Sequence, residues 1–136
     1  MWYNGIMKKK GFTLLEIMVV GAFAALLLIL FFIQKANVDA MDRDDQRKTA
    51  INAMYYSLEE GFYKENGYYP TEISEKNLKT MDPELFTDPM GINLGSEGSS
   101  YSYEAEDCDY ENHCKGYTLR AELEKESSYI KKNRTN

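Results

Sequence analysis

The sequence predicts an α+β protein: one long N-terminal helix, apolar all round in its first half and amphipathic in its second, packed on a small antiparallel sheet. Three observations predict it. Residues 12–33 (FTLLEIMVVGAFAALLLILFFI) hold a single charge, Glu16. Apolar residues then recur at helical spacing as far as Phe62, and neither Pro nor Gly interrupts Gln34–Gln46. Towards the C-terminus two segments alternate apolar and polar residues with the period of a strand. At 136 residues the chain is short for more than one domain of roughly 100–200 residues. Its net charge of −6 averages two unlike parts. From Lys35 onward lie 21 of the 22 acids and 13 of the 16 bases, a net of 13 − 21 = −8. That balance opposes general nucleic-acid binding, and a single apolar run excludes a multi-span membrane protein.

The apolar segment comes first. At 1.5 Å per residue its length is about 33 Å, close to the roughly 30 Å hydrocarbon core of a bilayer. Lys8, Lys9 and Lys10 precede it, and Asp39, Asp42, Asp44 and Asp45 follow it. The positive-inside rule then places the N-terminus in the cytoplasm and the acidic part outside. A cleaved signal peptide also starts with a basic region, but its apolar core is roughly 7–15 residues and closes at small residues. This run is longer, and no Ala-x-Ala pattern closes it before the charged stretch 35–48. Glu16 is the oddity: a carboxylate costs about 2.5–3.5 kcal/mol near the bilayer centre, and less near the interface. Two readings follow. Either Glu16 has a partner and a function, or it snorkels towards the headgroups beside Lys8–Lys10.

Lys8-Lys9-Lys10-Gly11-Phe12-Thr13-Leu14-Leu15-Glu16 resembles the processing site of type IV prepilins and their pseudopilin relatives. The match combines a basic flank, a Gly-Phe junction, a Glu at the fifth position after it and the apolar run. The resemblance implies that a prepilin peptidase cuts after Gly11 and methylates the amino group of Phe12. Residues 1–11 would be a leader, 12–34 the transmembrane and assembly helix, and 35–136 an extracytoplasmic globular pilin domain. The processed chain would have 136 − 11 = 125 residues and, three lysines fewer, a net charge of −9. The resemblance also implies a partner for Glu16, the terminal amine of a neighbouring subunit, so that Glu16 sets the register of assembly. One departure is plain: many type IV pilins carry a helix-breaking Pro about twenty residues into the processed chain, and here that neighbourhood reads Leu30-Phe31-Phe32-Ile33. Gly21 is the only helix-weakening residue in the segment.

Beyond the membrane segment, Ile51, Tyr55, Leu58 and Phe62, with Met54 beside them, form one apolar helix face suited to packing on a sheet. A single helix from Phe12 to Glu65 would be about 80 Å long. Asn66-Gly67 supplies the left-handed residue that ends it, and the following Tyr68-Tyr69-Pro70 resembles the turn that closes the pilin helix. Residues 70–100 hold Pro70, Pro83 and Pro89 and several glycines, and read as connecting structure with one helical turn near Asp82–Phe86. Asp88-Pro89-Met90-Gly91 is a turn sequence that partly resembles the Asp-Pro-Trp-Gly turn of major pseudopilins, with Met90 in the Trp position.

Tyr101, Tyr103 and Ala105 alternate with polar residues, as do Tyr117, Leu119, Ala121 and Leu123. They read as an antiparallel hairpin with one buried face, and Ser128–Lys131 as a third strand. The only two cysteines, Cys108 and Cys114, lie in the loop between the two main strands. Outside the cytoplasm such a pair reads as a disulfide closing Asp109–His113. A zinc site from Cys108, His113 and Cys114 lacks a second Cys/His pair. Calcium is the alternative, with Asp107, Asp109 and Glu111 as alternating oxygen ligands; some pseudopilins bind calcium in a C-terminal loop. No Gly-x-Ser-x-Gly, P-loop or His-Glu-x-x-His pattern occurs, so no enzyme is expected and no cofactor beyond that weak calcium candidate.

The expectation is therefore a structural subunit of a type IV pilus or related filament. Its expected partners are prepilin peptidase, like or unlike pilins in a homo- or hetero-oligomer, the assembly machinery and the membrane. It would start in the bacterial cytoplasmic membrane as a single-pass protein and move into an extracellular or envelope-spanning filament. The alternatives are a pseudopilin of a type II secretion or DNA-uptake machine and, from another class, a membrane-tethered binding module that never polymerises. Such a module would need neither Gly11-Phe12 nor a charge at Glu16.

Overall fold

The computed structural model describes residues 11–134, so the lysine flank at 8–10 lies outside the described residues. The first helix, α1 (Leu14–Tyr56, 43 residues), passes through Gly21 without a break. It continues as a π-helical turn, Ser57–Phe62, and a last α-helical turn, α2 (Tyr63–Asn66). Gly67 ends it as the sequence predicts, with φ 77° and its N–H donating to the Tyr63 carbonyl at 2.8 Å. The chain divides into two compact units at Val38/Asp39. In the first, the large apolar side chains from Phe12 to Ile33 are 52–78% exposed.

The second unit has an apolar core. Ala50, Ile51, Met54 and Leu58 of the helix meet Tyr101, Tyr117, Leu119 and Ala121 of the sheet, with Tyr69, Leu78 and Phe86 closing the sides. The sheet is the predicted antiparallel one: β1 (Tyr101–Cys108), β2 (Cys114–Ala121) and β3 (Tyr129–Lys132), in the order β1-β2-β3. The α+β arrangement of one long helix on a three-stranded antiparallel sheet is therefore as read from the sequence.

Three details differ from the sequence reading. β2 starts at Cys114, because Cys114 and Tyr69 exchange backbone hydrogen bonds of 2.9 and 3.0 Å. β3 starts one residue later than expected, since Ser128 Oγ donates to Glu122 in the turn. The helix face is altered by the π-helical turn, whose wider spacing brings Ser57 and Glu59 inward and leaves Tyr55 and Phe62 only half-buried. The expected helical turn near Asp82–Phe86 is a 3₁₀ turn, Pro83–Phe86, capped by the Asp82 carboxylate accepting from the Glu84 N–H at 3.0 Å.

Candidate functional site

Gly11, Phe12 and Thr13 lie outside any helix or strand and are exposed, and α1 begins immediately after them. Thr13 and Glu16 form a reciprocal cap. The Glu16 N–H donates to Thr13 Oγ1 at 3.3 Å, and the Thr13 N–H donates to Glu16 Oε2 at 3.4 Å. This is the pairing that Ser/Thr-x-x-Glu produces at a helix start, where the first backbone N–H groups have no intrahelical acceptor. Neither snorkelling nor an intersubunit partner anticipates it, although Thr13-Leu14-Leu15-Glu16 carries the signature openly. The carboxylate remains exposed, one turn from the Gly11-Phe12 bond. Behind it runs the only stretch among the described residues long and apolar enough to cross a membrane, with a mean hydropathy of 2.7 in its most apolar window.

Within the second unit, buried charge replaces buried hydrocarbon at one end of the helix stripe. Counting back from Leu58, Met54 and Ile51 at helical spacing reaches Arg47, Asp44 and Ala40, and all are buried. Asp44, 2% exposed, accepts from the N–H groups of Glu124 and Lys125 at 2.8 Å each and from Arg47 at 2.9 Å. Arg47 also reaches Glu124 at 2.9 Å, and Arg43 takes Glu124 in a two-pronged pair at 2.8 and 2.7 Å. Burial pushes the Asp44 carboxyl up, but the two backbone donors and the Arg47 guanidinium outweigh it and hold it below the ordinary carboxylate range. Arg43, then Arg47, draws Glu124 down to about 2. The chain of contacts continues from Arg47 through Ser100 Oγ to Asp88, whose carboxylate also accepts from Met90 and Ile92.

A second buried carboxylate sits at the π-helical turn. Glu59, 5% exposed, accepts from Tyr69 Oη at 3.1 Å, Tyr117 Oη at 2.8 Å and the Arg134 N–H at 3.3 Å. Burial, then the neighbouring Glu59 charge, raises the Tyr69 phenol; burial and its hydrogen bond to Glu59 raise Tyr117. Both rings are thus held as donors. Sequence reasoning missed Glu59 because a one-sided α-helical count leaves it beside the face rather than on it.

Cys108 and Cys114 are joined as a disulfide, with Cα atoms 3.9 Å apart as direct register partners at the turn end of the hairpin, the last residue of β1 and the first of β2. No thiolate is therefore left for zinc. The calcium candidates are not gathered. Asp109 Oδ1 is taken by the N–H groups of Glu111 and His113 at 2.9 Å each, and these donors, His113 first, lower its carboxyl below the ordinary range. The other Asp109 oxygen and the Glu111 carboxylate flank His113 Nδ1 at 3.7 and 3.6 Å, but among the described residues no three His, Cys, Asp or Glu side chains form a group able to hold a metal ion.

Compared with protein-family models, curated proteins and solved structures, the chain has no match.

Proposed function

We propose that this chain is a structural subunit of a type IV pilus or a related filament. A prepilin peptidase processes it after Gly11, and the apolar helix polymerises it. The observation that carries the reading is one continuous apolar helical surface from Leu14 to Ile33, exposed on every side and interrupted only by Glu16 at its start. In the membrane, lipid covers that surface; in a filament, like helices would cover it. The basic flank and the acids that follow the segment favour an N-terminus in the cytoplasm and an acidic unit outside. There, the Cys108–Cys114 disulfide suits an oxidising compartment. Glu16 would exchange its local cap for the amine of a neighbouring Phe12, two charges that attract strongly in a low-dielectric helix bundle. The role is structural rather than catalytic.

A pseudopilin of a secretion or DNA-uptake machine is the second reading, and the turn after Asp88 favours it. The Gly91 N–H donates to the Asp88 carbonyl at 2.9 Å while the Asp88 carboxylate gathers the following N–H groups, so the Asp-Pro-Met-Gly sequence is built as a closed turn. A tethered module that never polymerises leaves the Gly11-Phe12 junction without a purpose and Glu16 with no role beyond its local cap. Mass spectrometry of assembled fibres tests the proposal: the expected chain begins with N-methylated Phe12, and chains beginning at Met1 would overturn it. Electron microscopy of cells with and without the chain separates the readings, since long filaments surviving its loss would exclude a major pilin.

A further inference from the structure

The sheet has two open edges of opposite charge. β1 presents Glu104, Glu106 and Asp107 along its edge, all exposed and with no base among them. β3 and the residue pair after it present Lys131, Lys132 and Arg134 with no acid. Half of these six charges are committed within the chain. Glu106 accepts from Thr118 Oγ1 at 2.6 Å, Lys131 lies over the Tyr55 and Tyr129 rings, and Arg134 pairs with Glu60 at 2.6 Å. The side chains of Glu104, Asp107 and Lys132 are left over, with no hydrogen-bond or ion-pair partner among the described residues; Asp107 has no register partner, whereas Glu104 and Lys132 do. The register places both in one row across the sheet, Glu104↔Thr118↔Lys132, at its opposite edges. With strands about 4.8 Å apart they stand two strands, roughly 10 Å, from each other, too far to pair within one chain.

We infer that the β3 edge of one copy docks on the β1 edge of a second copy, with Lys132 against Glu104. The row that is broken within a chain would then be continuous between chains, at the spacing of neighbouring strands. Charge selects this pairing against the others. Two β1 edges would bring acids together and two β3 edges would bring lysines together, so only unlike edges attract. The contact is heterologous: each copy offers one edge and receives the other, and copies in one orientation extend a row rather than close a dimer. β1 and β3 run in the same direction, both antiparallel to β2, so successive copies need no inversion. This rests on the filament reading above but names a contact that the apolar helix does not supply.

The test uses full-length chains in the membrane with reporter cysteines in the adjacent row, Ser102↔Arg120↔Ile130. One tagged chain carries Ser102→Cys and a second, differently tagged, carries Ile130→Cys. Mild oxidation should link unlike chains and not like ones, and a chain carrying both substitutions should give a ladder beyond the dimer. Glu104→Lys on the first chain or Lys132→Glu on the second should lower the linked fraction about tenfold, and the two reversals together should restore it. Equal linking of like and unlike chains, or no linking, overturns the contact. So does linking that the reversals leave unchanged. Filaments and N-methylated Phe12 are scored in the same cells. Processed filaments without the link overturn the edge contact alone, whereas the link with charge rescue in the absence of processed filaments upholds it and overturns the filament reading.

Discussion

The two units handle polar groups in opposite ways. In the unit from Asp39 onward, carboxylates go into the interior and every buried one is answered within the chain. Asp44 has two backbone donors and a guanidinium, and Glu59 has two phenols and a backbone N–H. No buried side-chain nitrogen or oxygen among the described residues lacks a partner. In the unit that ends at Val38 the lone carboxylate is exposed and answered only by its own helix start, while the apolar side chains are bare. A folded domain must satisfy burial costs internally, because an unpaired buried charge forfeits several kcal/mol. A segment whose environment is supplied by lipid or by other subunits can leave both its apolar surface and its charge unanswered. The contrast separates a part built to fold from a part built to be covered.

The largest effect expected from breaking that contrast is at Asp44. Asp44→Ala leaves Arg47 with the partly exposed Glu124 as its one carboxylate partner, beside the Ser100 hydroxyl, and strands the N–H groups of Glu124 and Lys125. Breaking a buried pair typically costs about 3–5 kcal/mol. For a domain of this size that lowers the melting temperature by more than about 12 °C. Thermal unfolding of the full chain in detergent, followed by near-ultraviolet circular dichroism, measures it. A change of only a degree or two would mean that the cluster is solvated and that the two units do not differ as argued.

Acid sharpens the same comparison with less force. Glu124 is held at about 2 by Arg43 and then Arg47, and Asp44 and Asp88 lie below the ordinary range despite their burial. Folded values below unfolded ones mean that stability is complete above the unfolded values, about 3.9 for Asp and 4.3 for Glu. It is then lost as pH falls through the folded values. The urea midpoint should be flat from pH 7 to about 5 and fall steadily from there towards pH 2. A midpoint that rises on acidification would contradict the assignment.

Much of the fold was legible because it obeys simple periods. Ile51, Met54 and Leu58 keep helical spacing, Tyr117, Leu119 and Ala121 keep strand spacing, and Gly67 stops the helix where a left-handed residue is needed. The buried charges were not legible by hydrophobic pattern, since Asp44 and Arg47 occupy core positions with residue types that usually face water. Extending the apolar stripe backwards by three and four residues reaches them, but Glu124 and Lys125, which answer their charges in addition to the Asp44–Arg47 pair itself, lie some eighty residues away on the β2–β3 connection. Glu59 was hidden for another reason: the π-helical turn changes the period within the stretch where the count was made. At the helix start the Thr13–Glu16 cap was legible from local spacing alone.

The smallest effect on folding is expected at that helix start, and there two substitutions separate two roles for one residue. Thr13→Ala removes the cap and leaves the Glu16 charge; losing such a cap costs about 1 kcal/mol of local helix stability. Glu16→Gln keeps an amide able to complete the cap and removes the charge. Neither should move the unfolding of the Asp39–Asn136 unit measurably, because neither residue belongs to it. The variants should differ in assembly. If Glu16 sets register through its charge, Thr13→Ala chains still enter filaments and Glu16→Gln chains do not, scored by electron microscopy and by the sheared-fibre fraction. If instead Glu16 serves only to start the helix, the order reverses: Thr13→Ala impairs assembly and Glu16→Gln is silent. Membrane insertion, read by carbonate extraction, should be intact in both, since the apolar run is unchanged and the glutamine is cheaper to bury than the carboxylate it replaces.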